Sequence, residues 1–553
     1  MFDAKYATRI KLMKIWEILR QETDEDNPMP TSVLMKKLDE MGIHCDRRTI
    51  YADIKLLNDC GYEVLCNKSQ KNEYYVVDRS FDLPELRILL DAVQAASFIT
   101  EKKTAEFVDS NRYKGKRDDY ENPTAEMGGV FDTLVATGEE QTFLPFWYRS
   151  FRFVRVEFED PDFKILDFSY ANYHYPLDKA GTFACSNPRY NEMWEISRNT
   201  VLCCMHEMYV DCPYYEQQQY DMDSALEMLF TMRMSGDLRM PIKSITDFAH
   251  SQMADGMLQA NYPSVMVQII PDFTLFWVLM LRDYLRYAGE SGDVSARVRS
   301  FTGTVDKALE SFEPYLTAEG LVGITPYWHF VDWVPGWHIG VPGGGFSEPI
   351  TVTSFMYAAA LKAAAEICAT VGRPGLASDY RARAAVILDN VRKHCYDEEI
   401  GLYRNTPSTK EYSQHTTLWA ILSGAVTGDE AGALMDRTFD GHVPVSVCSF
   451  SMNHYMFRAL ELSGRYNEYA SKQLAGWETM LDLHCTTWCE NPDSPRSECH
   501  GWSSAPTYEF SAMVLGVYPT ENGYKSVRIK PFVDCFDLDW AKGTVPTDRK
   551  SVV

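Results

Sequence analysis

Basic residues are the first thing that this sequence has too few of. Its 553 residues include 54 Lys and Arg against 78 Asp and Glu, a formal net charge of −24. This deficit excludes proteins that bind nucleic acid with their whole surface, because phosphates attract positive surface. A single small domain can still bind DNA, since the total says nothing about local charge.

The sequence also lacks the signals of export, membrane insertion and metal binding. The N-terminus has no charged-then-apolar leader. The apolar stretch 273–285 is interrupted by Arg282 and Asp283, so we expect no transmembrane helix. The 14 cysteines are irregularly spaced without paired C-x-x-C motifs, which indicates reduced thiols rather than a disulfide framework or zinc site. These absences predict a cytoplasmic protein without cofactor or metal.

Apolar and aromatic side chains are plentiful. Hydrophobic residues make up 45% of the chain and aromatic residues 13%, with 12 Trp and 32 Tyr. The length exceeds that of one ordinary domain, so we predict two to four. Aromatic side chains form platforms for sugars, but core packing is their commoner use. Composition therefore predicts a multidomain globular protein.

Residues 1–80 predict a winged helix-turn-helix. Apolar residues recur at helical spacing in 5–23, a second helix follows Pro30, and a third begins with Asp46 as N-cap. Two short strands at 62–65 and 73–77 surround a polar turn. Arginines in the first turn of the third helix oppose its dipole, which favours a role at phosphates and base edges. The residues predicted to bind DNA are Arg47, Arg48, Thr49, Tyr51, Lys55, Lys68 and Lys71.

The same stretch resembles the N-terminal domain of WYL-type bacterial transcription regulators. The resemblance is carried by DRRTIYADIKLLNDCGYEV at 46–64 and continues through LPELRILLDAVQAASFITEKKT at 83–104. The second segment is similar to the helical linker of that family, so we predict a helical linker and junction at 81–130. The resemblance implies duplex DNA as a partner. A plain helical bundle with surface arginines is the alternative.

Beyond residue 130 the pattern changes twice. Alternation at 151–158 and 165–170 predicts strands of a β-sandwich segment covering 131–187. About ten helical stretches at 188–515, joined by long loops, predict paired hairpins closed into an (α/α)6 barrel. Residues 516–547 predict the start of a C-terminal β-sandwich. Residues 548–553 match a translated sequencing adapter, so we predict an artefactual tail. The fold class is multidomain and mainly α.

The chemistry is predicted in an acidic segment at 211–223, DCPYYEQQQYDMD. Its carboxylates stand at offsets 0, 5, 10 and 12. Pro213 keeps the preceding residue out of helical geometry, and we predict that a helix begins just after the proline. Acidic residues and a proline are also typical of an ordinary first helical turn. The segment alone therefore favours a helix start and a catalytic site equally.

The stretch 140–547 resembles the bacterial α-L-rhamnosidases of glycoside hydrolase family 78. After the acidic segment the resemblance continues, in the family's order, through IIPDFTLFWVLMLRDY, FVDWVPG, TTWCE and SECHGWSSAPTYEF. It implies an inverting glycosidase acting on a rhamnose-containing oligosaccharide or glycoside. By the resemblance, Glu216 is the general acid and Glu490 the general base, while Asp211 and Asp223 bind sugar hydroxyls and raise the pKa of the acid.

Other residues of these motifs are candidates for the sugar site. We predict an apolar wall for the sugar and hydroxyl partners beside it, formed by Trp277, Trp328, Trp333, Trp502, Asp332 and His500. Core packing is an equally good interpretation of each tryptophan, and a lone histidine is more often structural. Two departures weaken the inference to rhamnose: the family's arginine before the acid is Tyr215 here, and its G-W-x-G-D run is replaced at 219–223.

Three interpretations stay open. The first is a rhamnosidase-like hydrolase fused to a DNA-binding domain. The second is a transcription regulator whose barrel senses a rhamnose-containing sugar without cleaving it. The third is a chimera of two genes joined near 104–112, where the WYL pattern stops abruptly.

Overall fold

The structure is a computed structural model, and contacts divide the chain into two compact units. One unit comprises residues 1–105, 134–142 and 158–163, and the other comprises 106–133, 143–157 and 164–553. The residues that the structure describes are 4–23, 27–59, 62, 64–68, 72–76, 104–110, 112–114, 126–128, 131–135, 137–151, 153–158, 162–178, 180–492 and 496–547.

The first unit begins with three helices and a small antiparallel sheet of order β1-β3-β2. Its elements are α1 (Ala4–Glu22), β1 (Met29–Pro30), α2 (Thr31–Glu40), α3 (Arg47–Asp59), β2 (Leu65–Lys68) and β3 (Asn72–Tyr75). The helices share a core that contains Ile15, Leu34 and Ile54. The Asp46 carboxylate accepts the Thr49 N–H at 2.9 Å and so caps α3. The predicted helices and hairpin are present, and the winged helix-turn-helix assignment stays a prediction.

The predicted linker at 81–130 is extended wherever the structure describes it. Residues 81–103 lie outside the described residues, and the later part contains β4 (Thr104–Ser110), β5 (Arg112–Lys114) and β6 (Glu126–Gly128). The helical linker predicted at 83–104 lies outside the described residues except for Thr104 and stays a prediction, whereas the junction that follows it contains short strands. β4 lies between β7 (Phe131–Val135) and β8 (Phe153–Phe158) in one sheet. The pattern of apolar residues did not predict these strands, whose backbone groups hydrogen-bond to neighbouring strands of the sheet.

One predicted strand, at 165–170, is absent. This stretch is irregular, and Ile165, Leu166 and Phe168 are exposed. An alternating pattern indicates a strand only if a neighbouring strand pairs with it, and among the described residues none does so here.

Helices fill the predicted barrel region. Their bounds are α4 (Pro188–Cys203), α5 (Asp221–Met234), α6 (Arg239–His250), α7 (Pro271–Ala288), α8 (Gly292–Ser300), α9 (Thr302–Glu310), α10 (Thr351–Thr370), α11 (Pro374–Cys395), α12 (Gln414–Leu422), α13 (Gly428–Phe439), α14 (Phe450–Leu462), α15 (Tyr466–Gln473), α16 (Ala475–Asp482) and α17 (Ala505–Glu509), which a π-turn at Phe510–Val514 extends. Sequence periodicity missed α13. It also merged α8 with α9 and α15 with α16.

Six of these helices close an inner ring. Each helix in the series α5, α7, α10, α12, α14 and α17 packs against the next, and α17 packs against α5. The remaining helices pack outside the ring, for example α11 against α10 and α13 against α12. This arrangement is the predicted (α/α)6 barrel, in which residues distant in sequence meet at the ends of the inner helices.

Burial distinguishes the inner helices from the outer ones. Every residue of α5 is buried, charged side chains included. α10 is long and apolar enough to cross a membrane, contrary to our expectation, but 83% of its apolar window is buried inside the protein. An inner barrel helix is enclosed on all sides, so it loses the one-sided polarity of a surface helix.

Short strands decorate the loops and the end of the described chain. β10 (Tyr396–Asp397) pairs with β11 (Leu402–Tyr403), β12 (Tyr412–Ser413) with β13 (Val445–Ser446), and β14 (Val517–Pro519) with β15 (Val527–Ile529). β16 (Ala541–Thr544) returns to pair antiparallel with β9 (Thr182–Cys185), just before the barrel. Residues 548–553, predicted as an artefactual tail, lie outside the described residues.

Candidate active site

The acidic segment forms a compact loop before α5. The Asp211 N–H donates to the Gln218 carbonyl at 2.9 Å, and Asp211 Oδ1 accepts the Gln218 N–H at 3.0 Å. Glu216 lies at the turn, and Gln217 follows it in left-handed geometry with φ of 52°. The helix begins at Asp221, not directly after Pro213, because the intervening residues bond within this loop. Asp211 and Glu216 therefore stand before the helix and not within its first turn.

The floor of this loop is rich in buried carboxyl groups. Asp211, Asp221, Asp223 and Glu227 are all almost inaccessible to solvent. Burial raises the pKa of Asp211 to about 7, with the His500 charge opposing the rise and Asp223 adding to it. Burial likewise raises the pKa of Asp223, and raises those of Asp221 and Glu227 well above their ordinary values. Burial therefore shifts the titration of each of these groups to higher pH than that of an exposed carboxyl.

His500, which belongs to a loop distant in sequence, contacts these buried carboxyl groups. Its Nε2 lies 3.2 Å from Asp223 Oδ1, and its ring centroid lies 3.9 Å from that of Trp502. Burial lowers the pKa of His500, but the hydrogen bond to Asp223 and the charges of Asp211 and Glu490 outweigh this effect, so the pKa is raised. The predicted hydroxyl-binding histidine is thus held by a predicted sugar-binding carboxylate.

Glu490 lies near the other end of the barrel sequence, in a loop that contacts the acidic loop. Its N–H donates to the Ser497 carbonyl at 2.9 Å, and its own carbonyl accepts the Trp502 indole N–H at 3.3 Å. Arg496, in the same loop, forms an ion pair with Glu216, and the Glu490 charge also acts on this guanidinium. The barrel therefore brings the loop of Glu490 and Arg496 to Glu216.

The site also contains three groups that bind metals in other proteins. Ligand atoms of Asp211, Cys212 and His500 lie within 4.8 Å of one another. However, the Cys212 thiol donates to Asp211 Oδ2 at 2.8 Å, and His500 Nε2 is bonded to Asp223. Hydrogen bonds thus occupy the Cys212 thiol and His500 Nε2, whereas the buried His500 Nδ1 has no hydrogen-bond partner among the described residues. The absence of a metal stays a prediction.

Comparison with known proteins identifies the architecture. A model of the bacterial alpha-L-rhamnosidase six-hairpin glycosidase domain matches residues 178–514, more than half of the chain. The chain belongs to this family. No curated protein matches the chain.

Several solved structures share the rhamnosidase-family fold. The rhamnosidase of Bacillus sp. GL1 is 24% identical with a TM-score of 0.66, and the match covers 81% of this chain and 47% of that one. The Klebsiella oxytoca rhamnosidase with rhamnose bound is 19% identical with a TM-score of 0.59, covering 74% and 82%. The Aspergillus terreus α-L-rhamnosidase is 17% identical with a TM-score of 0.66, covering 81% and 53%. This rhamnosidase-family chain spans about half the length of the first and third.

Two predicted sugar-binding residues are placed elsewhere in the rhamnosidase-family domain. Trp277 is fully buried in α7, and its indole N–H donates to the Ile245 carbonyl at 3.0 Å, so it has no surface for a sugar. Asp332 is also fully buried, and its carboxylate accepts from His415 at 2.7 Å, from the Ser449 N–H at 2.9 Å and from Ser451 at 2.8 Å. Packing uses both side chains internally, which does not favour the predicted sugar contact of either.

Trp328 and Trp333 lie in an aromatic cluster with Phe330. Ring centroids of Trp328 and Trp333 are 6.2 Å apart, and Trp333 is 47% exposed. Contacts run from Phe330 to Phe273 at 6.0 Å and from Phe273 to Tyr220 at 6.4 Å. Tyr220 in turn interacts with Glu216. The cluster therefore connects to the acidic loop, and its sugar-binding role stays a prediction.

Sequence reasoning missed three residues of this site. Glu227 is one helical turn beyond Asp223, and that spacing was a signal that its carboxyl faces the same cluster. Trp147 donates its indole N–H to the Gln217 side chain at 2.7 Å. Arg496 had no sequence signal, since no spacing rule relates it to Glu216.

The predicted DNA-binding residues belong to the other unit. Arg47, Arg48, Thr49, Tyr51 and Lys55 are exposed on α3. The Thr49 hydroxyl bonds to the Asp46 carbonyl at 2.8 Å, so part of its function is to cap the helix. Lys68 belongs to β2, and Lys71 lies outside the described residues.

Proposed function

We propose that this chain is an inverting α-L-rhamnosidase-like hydrolase that releases terminal α-L-rhamnosyl residues. The observation that carries the proposal is that Arg496, six residues after Glu490, forms an ion pair with Glu216, although the barrel sequence separates the loops of Glu216 and Glu490 widely. The rhamnose bound in the Klebsiella oxytoca relative supports the sugar assignment.

The proposed reaction needs two carboxyl groups in opposite states. Glu216, as a carboxylic acid, donates its proton to the glycosidic oxygen while the bond to the anomeric carbon breaks. Glu490, as a carboxylate, takes a proton from the water that attacks the other face of that carbon. The products are the free sugar, with its configuration at the anomeric carbon inverted, and the hydroxyl compound that formed the leaving group; Glu490 ends protonated and Glu216 ionised, so a proton returns from Glu490 to Glu216 through solvent before the next turnover.

The buried residues below these two groups are proposed to hold the sugar. Asp211, Asp223 and His500 offer hydroxyl partners whose orientation is fixed by the bonds described above. Trp502 packs against His500 in a tilted arrangement and is only 5% exposed. Fixed polar groups in a largely buried site bind a ligand with little cost of reorganisation.

Hydrolysis of an aryl α-L-rhamnoside tests the proposal. We expect aglycone release by the full chain, and a loss of at least ~100-fold in kcat for Glu216→Gln and for Glu490→Gln. Glu195→Gln is the matched control, because Glu195 is exposed on α4 and pairs with Arg198 at 2.5 Å. Activity that survives either active-site change undiminished contradicts the assignment, and proton NMR of the first-formed sugar tests inversion.

We also propose that the first unit, which contains α1, α2 and α3, binds duplex DNA in the cytoplasm. The exposed Arg47, Arg48, Tyr51 and Lys55 on α3 support this function. We expect salt-dependent binding that Arg47→Ala and Arg48→Ala weaken, because each change removes a phosphate contact. Lys36→Ala is the control, since Lys36 is an exposed cation on α2. DNA binding that neither arginine change weakens refutes the proposal. If the chain releases DNA when rhamnose is added but cleaves no rhamnoside, the result favours the sugar-sensing transcription regulator.

A further inference from the structure

Three potential metal ligands meet at the floor of the acidic loop. Ligand atoms of Asp211, Cys212 and His500 lie within 4.8 Å of one another. All three residues are buried, with exposed fractions of 2%, 0% and 4% respectively. A carboxylate oxygen, a thiolate sulfur and an imidazole nitrogen are donor types that zinc takes in proteins. The group therefore has the composition of a zinc site with three protein ligands and one open position.

The hydrogen bonds of His500 leave one ring nitrogen available to a metal ion. Its Nε2 lies 3.2 Å from Asp223 Oδ1, whereas its buried Nδ1 has no hydrogen-bond partner within the described part of the chain. Histidines that bind metals commonly donate their second ring N–H to a carboxylate, which determines the tautomer and the orientation of the ring. Asp223 therefore favours the tautomer that is protonated at Nε2 and offers Nδ1 as a ligand.

Buried acidic groups around these ligands also favour a cation. Asp221 and Glu227 belong to α5, and both oxygens of each carboxyl are buried without a hydrogen-bond partner in the described ranges. Asp223 acts electrostatically on both of them, and Asp211 acts on Glu227. A buried carboxylate without a partner is costly, and a divalent ion close to it lowers that cost.

We infer that Asp211, Cys212 and His500 form a zinc site, and that bound zinc excludes the sugar from this floor. The ion displaces the proton of the Cys212 thiol, which passes to solvent, and the sulfur binds as a thiolate. Zinc ligands lie about 2.0–2.3 Å from the ion and thus roughly 3.3–3.6 Å from one another. Side-chain rotations that change the present separations by about 1 Å produce this geometry.

The two parts of the inference depend on different observations. The zinc site stands on the ligand geometry alone. The exclusion of the sugar rests on the proposed function, in which Asp211 and His500 hold sugar hydroxyls. Zinc is then an inhibitor and not a cofactor, because it occupies the lone pairs that the sugar needs.

Uptake of Co²⁺, a spectroscopic substitute for Zn²⁺, tests the site without an activity measurement. We expect the full chain to bind one Co²⁺ with a thiolate charge-transfer band in the near ultraviolet, which added Zn²⁺ removes. C212S should abolish the band. D223N keeps all three ligands and should weaken Zn²⁺ binding by about 10- to 100-fold, because it removes the carboxylate that orients His500. C368S is the matched control, since Cys368 is a buried free cysteine of α10.

A second thiol pair lies close to the proposed site and needs its own control. Cys204 Sγ lies 4.0 Å from Cys499 Sγ, so C204S tests whether this pair takes the ion instead. Far-ultraviolet circular dichroism of the metal-free proteins checks that each variant folds. Absence of Co²⁺ uptake by the wild type, or a band that C212S retains and C204S abolishes, overturns the inference.

Inhibition kinetics separate the zinc site from the proposed function. Zn²⁺ should raise KM for an aryl α-L-rhamnoside without lowering kcat, and L-rhamnose should weaken Zn²⁺ binding by the factor by which Zn²⁺ weakens rhamnose binding. Zn²⁺ binding that L-rhamnose does not weaken overturns the exclusion of the sugar. Co²⁺ uptake through Cys212 in a protein that cleaves no rhamnoside supports the zinc site and contradicts the proposed function.

Discussion

Replacement of Asp211 by Asn should make the protein more stable at neutral and alkaline pH. Asp211 is buried, and its pKa is raised from an ordinary value of 3.8 to about 7. Between these two values the native state holds a proton that the unfolded chain releases. Native stability therefore falls as pH rises from about 4 to about 7, and it stays lower above that range.

The structure gives the magnitude of this effect. A rise of about three pKa units corresponds to about 4 kcal/mol at 1.36 kcal/mol per unit, for a shift from 3.8 to about 7. This shift already includes the opposing charge of His500, so we expect a gain of up to about 4 kcal/mol for Asp211→Asn above pH 7. Asn keeps an oxygen that can accept the Gln218 N–H.

Thermal unfolding at pH 4, 6 and 8 checks the prediction. The midpoint of the variant should exceed that of the wild type at pH 8, and the two should converge at pH 4. Asp237→Asn is a control of opposite sign, because Arg239 lowers the pKa of Asp237 to about 2. That change should destabilise the protein by under ~1 kcal/mol at neutral pH, since Arg239 is largely exposed. Parallel pH profiles for wild type and Asp211→Asn would refute the burial argument.

Two further predictions concern packing around the site. Gly501→Ala places a Cβ 1.9 Å from Glu227 Oε1, so we expect the free energy of unfolding to fall by ~1–3 kcal/mol. We also expect a lower kcat, because the Gly501 N–H donates to the Asp211 carbonyl at 2.9 Å. Gly292→Ala, which meets nothing within 4 Å, is its control in melts and kinetic assays, and equal melting points would contradict the clash. Trp277→Phe removes a buried hydrogen bond and should lower the free energy of unfolding by ~1–3 kcal/mol without changing KM. Trp333→Ala should raise KM and change the free energy of unfolding by under ~0.5 kcal/mol. The reverse pattern would show that Trp277 contacts the sugar.

Local pattern was sufficient for much of the fold. The helical period of apolar residues predicted most barrel helices to within a few residues, because a helix that packs on others must repeat its apolar face. It missed α13 and the break at Phe301 between α8 and α9, where tertiary contacts decide whether a helix stops. It also predicted a strand at 165–170, where no partner strand is present among the described residues.

The same distinction between local sequence pattern and tertiary structure applies to the candidate active site. The sequence by itself supplied the candidate carboxyl groups, since the acidic segment contains Asp211, Glu216 and Asp223, and the resemblance to the rhamnosidase family pointed to Glu490 in the TTWCE motif. Only the tertiary structure decided their environment. Ring closure brings the loop of Glu490 and Arg496 to Glu216 and buries Asp211 and Glu227, which raises the pKa of both. It also assigns Trp277 and Asp332 to internal packing. The physical reason is that burial and charge proximity depend on distance in space, which residue spacing along a chain does not encode.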